Sequence, residues 1–408
     1  MPSVEVVITA FLGIALTASI LSRRTRTPYT LVLVLFGIVL AASSVSTALG
    51  VDLIYDKLIG GGLFIGLVLP PLLFESMVNI SSSDLSAVLR PSILLATAGV
   101  GIATVVVGLL LWQIAALPLY TSFLFAALIA PTDVATVLEV FRRAKVPTKL
   151  ATLMETEAVF NDATAVVIFT LVLTSIGVSS EGIFQASLGF VTVLGGGIVV
   201  GLGIALGARL LASQITDSMT HTVLTIAAVY GSYAAASAIG ASGLIAVAVT
   251  GLYFGNTVVR ERLSGEAAVS IKSFWAVVAL IANTIAFLYI GLSTDIGGLY
   301  AGLVPISIAY AAVIASRFAS VYPFLGLKAI SGERMGLSWL NTAVLGGMRG
   351  ALSIVLVASV PDTIPSRGLM VTMTLGIAFI SIVLQGPLLI RYIGKRFPKE
   401  DLVAKGSG

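Results

Sequence analysis

The chain has 408 residues, of which 58% are hydrophobic and only 10% charged, with mean hydropathy +1.08 and a formal net charge of +4. A soluble globular protein carries about 25% charged residues, so most of this chain meets lipid or other apolar helices. The absence of cysteine excludes a disulfide framework, a thiolate metal site and a cysteine nucleophile.

A bilayer core takes about 20 apolar residues per helix. Apolar runs between short polar loops predict an all-α polytopic membrane protein with thirteen transmembrane helices. In chain order the spans are 4–22, 28–46, 58–79, 91–115, 119–143, 149–177, 184–213, 219–238, 241–256, 270–293, 299–323, 336–359 and 366–391. Met1 to Glu5 lack the basic stretch and cleavage site of a signal peptide, so they read as the outer end of the first span.

Lysine and arginine set the orientation, because cytoplasmic loops are enriched in them. With the N-terminus outside, the cytoplasmic segments hold Arg23, Arg24 and Arg26, then Arg90, then the cluster from Arg142 to Lys149. They continue with Arg209, Arg260, Arg262, Lys272, Lys328, Arg334 and a basic C-terminal tail. The outer loops hold Lys57 and Arg367, while Arg317 and Arg349 lie inside spans. This split explains the positive charge without nucleic acid.

Charges within spans are costly and mark function by default, at about 2.5–3.5 kcal/mol each on insertion scales. Among them are Glu75 in the third span, Asp133 in the fifth, Glu155, Glu157 and Asp162 in the sixth, Arg317 in the eleventh and Arg349 in the twelfth. At a rise of about 1.5 Å per residue, Asp133, Asn161, Asp162 and Arg349 fall near the midplane. Glu75, Glu157 and Arg317 form a group nearer the cytoplasm. A pairing of Glu75 with Arg317 reads equally well as a structural lock. No nearby cation neutralises Asp133, Asp162 and Glu157 together, so a spare carboxylate binds a proton or a metal cation.

Two spans also carry helix breakers at matching depth. Pro131 interrupts the fifth at Ala130-Pro131-Thr132-Asp133, and the twelfth contains Gly346-Gly347-Met348-Arg349-Gly350. Broken helices are tolerated at membrane depth only when buried or lining a cavity. A pair of them in corresponding halves marks the site of an inverted-repeat transporter. Spans 1–6 and 8–13 would be the repeats, joined by span 7. An intramembrane protease would need other motifs, and the only histidine, His221, lies by a loop. A channel would want a lined pore, and an organic-anion carrier would want basic or hydroxyl-rich breaks.

Several motifs resemble the NhaP/NHE branch of the cation/proton antiporters: Leu69-Pro70-Pro71-Leu72-Leu73-Phe74-Glu75, Ala130-Pro131-Thr132-Asp133, Glu157-Ala158-Val159-Phe160-Asn161-Asp162, Gly347-Met348-Arg349-Gly350-Ala351 and Gln385-Gly386. The resemblance covers nearly the whole chain in order, and it implies an NhaA-like antiporter fold with two crossed, interrupted helices. It implies a homodimer in the plasma membrane, with dimerisation helices in 1–90 and 216–295, and core helices in 91–180 and 296–394. A linker helix would occupy 181–215 and a cytoplasmic tail 395–408. By the same resemblance Asp162 binds cation and proton in turn, and Asp133 and Thr132 complete or orient the site. Glu157 is the acid at its inner end, paired with Arg317, and Arg349 and Glu75 support the charge network. The expected sodium ligands are Asp162, Glu157 and Thr132. Ala158 departs from the pattern, since relatives often carry a serine there.

A carboxylate with neutral oxygens suits a small alkali cation, and a buried carboxylate can hold a proton instead. Competition at one site couples the two gradients. By the same resemblance, Asn161 in place of a second acid implies electroneutral one-for-one exchange of sodium or lithium for protons, with pH regulation. Potassium/proton exchange on the same fold is the alternative. No enzyme activity, cofactor, nucleic acid or soluble partner is expected, only membrane lipid and a second copy.

Overall fold

The computed structural model describes residues 4–25, 27–43, 66–144, 146–174, 180–261, 263, 265–294, 296–327 and 335–397. The first part of the third expected span (58–65), Lys57 and the tail from residue 398 lie outside the described residues. Among the described residues all regular structure is helical.

In chain order the helices are α1 (Val4–Thr25), α2 (Tyr29–Ala41), α3 (Leu69–Asn79), α4 (Ser82–Ile114), α5 (Leu119–Ile129), α6 (Val134–Ala144) and α7 (Thr148–Thr174). They continue with α8 (Ser180–Ala212), α9 (Ser218–Ala238), α10 (Gly243–Val259), α11 (Gly265–Leu292) and α12 (Ile296–Ala301). The last are α13 (Leu303–Gly326), α14 (Leu337–Leu345), α15 (Ala351–Ala358) and α16 (Arg367–Arg396). Six described stretches are long and apolar enough to cross a bilayer: α4, α7, α11, α13, α16 and residues 191–212 of α8. The chain is a helical polytopic membrane protein.

Both expected breaks occur. The fifth span divides into α5 and α6 around Ala130–Asp133, and the twelfth into α14 and α15 around Gly346–Gly350. The fourth span starts earlier than its apolar run, at Ser82. Ser81 Oγ accepts from the Asp84 amide at 3.1 Å and donates to its carboxylate, so the helix is capped in a polar stretch. Arg90, expected in a loop, therefore lies within α4. Pro91 sits inside the same helix, and a π-helical turn follows at Leu95–Gly99.

The chain forms two compact units. The first comprises Met1–Gly62, Val88–Leu173 and Thr284–Gly408, and the second Leu63–Ala87 and Thr174–Asn283. In the second, α10 packs against α3, α8 and α9. In the first, α13 packs against α4, α14 and α16, and α15 against α5 and α16. Its apolar core includes Val140, Phe141, Leu153, Val344, Met348 and Leu389. Gly37 of α2 and Gly291 of α11 let two backbones touch there. A Cβ on Gly291 would lie 2.7 Å from the Gly37 Cα, which explains glycine at both positions.

Candidate functional site

The site lies in the first unit, where the two breaks meet beside α7. A helix break strands backbone carbonyls, and buried carbonyls need partners. At the α5/α6 break the carbonyls of Ala130 and Pro131 both accept from Arg349 Nη1, the second at 2.9 Å. At the α14/α15 break the Met348 carbonyl accepts from the Asp133 amide at 2.8 Å. Each break thus satisfies the other. Gly350 is required at this contact, since a Cβ there would lie 2.6 Å from the Asp133 Cβ.

The Asp133 side chain has a local task. Its Oδ2 accepts from the Thr136 amide at 3.2 Å and from the Thr136 hydroxyl. Asp133 is therefore the cap of α6, placing negative charge at a helix N-terminus. The sequence signal for this cap is the Asp-x-x-Thr spacing of Asp133 and Thr136.

On α7, Glu157 and Asn161 stand one turn apart, on one face of the helix. Asn161 Oδ1 accepts from the Thr132 amide at 3.2 Å, and its Nδ2 donates to the Thr132 hydroxyl at 2.7 Å and to Glu157 Oε1 at 3.4 Å. Arg317 of α13 donates to Glu157 Oε1 at 2.6 Å and Oε2 at 3.3 Å. Its Nη2 also reaches the carbonyl of Ala343 at 2.9 Å, near the end of α14. The Arg317 and Glu157 side chains are 5% and 1% exposed, so this is a buried two-pronged pair.

Asp162 is 7% exposed, and its Oδ1 is buried with no hydrogen-bond partner among the described residues. Both buried arginines are engaged elsewhere, Arg317 by Glu157 and Arg349 by the two carbonyls. Such an oxygen is costly to bury, unless a proton or a cation meets it. The described residues contain no cluster of three or more metal-binding His, Asp or Glu side chains. A single carboxylate with hydroxyl, amide and carbonyl oxygens remains, a hard-oxygen set.

Thr132, Asp133, Glu157, Asn161, Arg317 and Arg349 thus form one connected network with Asp162 beside Asn161. Glu75 lies on α3, where its carboxylate accepts from Asn79 at 3.4 Å. Arg317 is the partner of Glu157.

A multi-pass helical protein whose two broken helices meet beside a helix carrying a buried acid has the build of a secondary transporter. The chain belongs to the sodium/hydrogen exchanger family, whose transmembrane profile it matches over residues 7–393. It is 33% identical to the Na+/H+ antiporter ApNhaP of Aphanothece halophytica over 93% of this chain and 72% of that protein. It is 34% identical to the Na+/H+ antiporter NhaP of Pseudomonas aeruginosa over 82% of each. In fold it is similar to the sodium proton antiporter MjNhaP1 of Methanocaldococcus jannaschii, with TM-score 0.77, 22% identity and coverage of 98% and 99% of the two chains. The potassium alternative finds no support among these relatives.

Proposed function

We propose that this protein is a sodium/proton antiporter in which Na+ (or Li+) and H+ compete for Asp162. The observation that carries the reading is the Asp162 Oδ1, buried and without a hydrogen-bond partner among the described residues, while both buried arginines are engaged by other acceptors. Thr132 and Glu157 border the cargo ion, Asn161 fixes their positions, and Asp133 and Arg349 hold the breaks open. Glu157 contributes with its charge balanced by Arg317. Asp162 alone carries the charge that a cation or proton must match, so one Na+ exchanges for one H+ without net charge movement.

The same proposal includes thirteen spans in two inverted repeats with crossed broken helices, the N-terminus outside and the C-terminus in the cytoplasm. It also includes a homodimer in the plasma membrane, joined through the helices of 1–90 and 216–295. The similarity of fold and the lysine and arginine asymmetry support this arrangement.

The test is a proteoliposome assay with lithium, sodium and potassium gradients across pH, with and without imposed voltage. Sodium-driven proton movement insensitive to voltage is expected, and Asp162→Asn should abolish it. Proton movement at the wild-type rate in Asp162→Asn would refute the assignment.

A further inference from the structure

We propose that Gln385 is a positioning residue for ion exchange, holding the α14/α15 break in register with Arg349 and Asp133. The inference deepens the antiporter reading and rests on it.

Gln385 is 2% exposed and closes a π-helical turn, Ser381–Gln385, inside α16. Single π turns displace the following side chains from a regular helical path and recur at functional sites. Here the turn coincides with an amide aimed at a helix end. Gln385 Nε2 donates to the carbonyl of Leu345 at 2.6 Å. Leu345 is the last residue of α14, directly before the break. On the other side of the amide, Oε1 accepts from the Tyr310 hydroxyl of α13 at 3.0 Å. The Leu345 carbonyl can only accept, so the NH2 group must face it and Oε1 faces the Tyr310 hydroxyl.

Tyr310 lies seven residues before Arg317, two turns away on the same face of α13. Arg317 grips the Ala343 carbonyl directly, and Tyr310 grips Leu345 through Gln385. Four residues beyond Leu345, Arg349 reaches across to Ala130 and Pro131, and Met348 meets the Asp133 amide. A shift of the α14 end would therefore move the Arg349 guanidinium and the Asp133 backbone together. A second link between the same helices, Tyr322–Asn341–Tyr392, sits further from the break at 2.7 and 3.0 Å, and serves as a structural comparison.

The experiment compares Gln385→Leu, Gln385→Met and Tyr310→Phe in reconstituted full-length protein, reading the KM for Na+ separately from the maximal rate. Leucine and methionine keep apolar bulk but lose the donor to Leu345, whereas Tyr310→Phe leaves that donor in place. Both Gln385 variants should raise KM about tenfold, the equivalent of one lost hydrogen bond at the site, and Tyr310→Phe should stay within about twofold. Asn341→Leu should lower thermal stability without changing KM. Should Gln385→Met and Gln385→Leu fail to assemble, Gln385→Asn retains the amide on a stem too short to reach and should show the same rise. A wild-type KM in any assembled Gln385 variant overturns the proposal. Wild-type protein in the same vesicles separately tests the antiporter reading, because absence of its exchange would refute that alone.

Discussion

Removing the Arg317 guanidinium should destabilise the first unit more than any other single change in the site. The two prongs on Glu157 measure 2.6 and 3.3 Å between side chains that are 5% and 1% exposed, so water barely screens the pair. Arg317→Ala would leave the Glu157 carboxylate buried and uncompensated, at a cost of about 3–5 kcal/mol. The Ala343 carbonyl would lose its donor as well, and a buried unsatisfied acceptor costs about 1–3 kcal/mol. These effects overlap, but the first alone is a large share of a typical folding stability of about 5–15 kcal/mol. The assay is the fraction of detergent-solubilised protein remaining monodisperse after graded heating. A double variant, Arg317→Met with Glu157→Gln, removes both charges and keeps an acceptor for Asn161, so it should recover most of the loss. If Arg317→Ala melts with the wild type, or the double variant is no better than the single one, the Arg317–Glu157 pair does not hold the first unit together.

Two further outcomes concern helix caps. Glu139 of α6 accepts from the Tyr29 amide, and from the Thr30 amide at 3.2 Å and its hydroxyl at 3.3 Å, at the start of α2. Glu139→Ala should cost about 1 kcal/mol, measured as a lower melting temperature, and an unchanged melting temperature would count against the cap. Asp217, outside the membrane spans, caps α9 through the Thr220 amide at 2.7 Å, and the Thr220 hydrogen bonds hold its carboxyl below the ordinary value of 3.8. A depressed folded-state value means that the stabilisation is present above 3.8 and disappears as pH falls through the lower, folded-state value. Asp217→Asn should therefore flatten the acid limb of a melting profile taken from pH 6 to 3. Parallel profiles for the two proteins would remove Asp217 from that limb.

The breaks were legible because their residues act locally. Pro131 cannot continue a helix, and the glycines of Gly346–Gly350 permit the close approach to Asp133 and the Arg317 side chain. Depth along the membrane normal was also legible, since it needs only the rise per residue. Lateral position was not, because depth says nothing about which helices adjoin. Depth therefore put Arg317 and Glu157 at one level without showing that α13 and α7 bring them into a two-pronged pair. The roles of Arg349 and Thr136 were hidden for a related reason. Both depend on which backbone groups a break leaves exposed, and sequence shows the breaker but not the direction of the freed carbonyl.

Counting those carbonyls also sharpens the role of Asn161. With Ala130, Pro131, Ala343, Leu345 and Met348 all accepting protein donors, the backbone of both breaks is held in place. If exchange centres on Asp162, its neighbours must stay fixed as its occupant changes. Asn161 does this by accepting from Thr132 with one end and donating to Thr132 and Glu157 with the other. A carboxylate could accept but not donate. Asn161→Asp would face Glu157 with a second negative charge inside a pair already balanced one to one with Arg317. The substitution should therefore weaken folding and exchange together, rather than simply adding a transported charge. Voltage dependence of proteoliposome exchange, read beside thermal stability, separates the outcomes. A stable Asn161→Asp protein with wild-type turnover and voltage-driven transport would show that Asn161 sets charge stoichiometry alone, and that its two donated hydrogen bonds are dispensable.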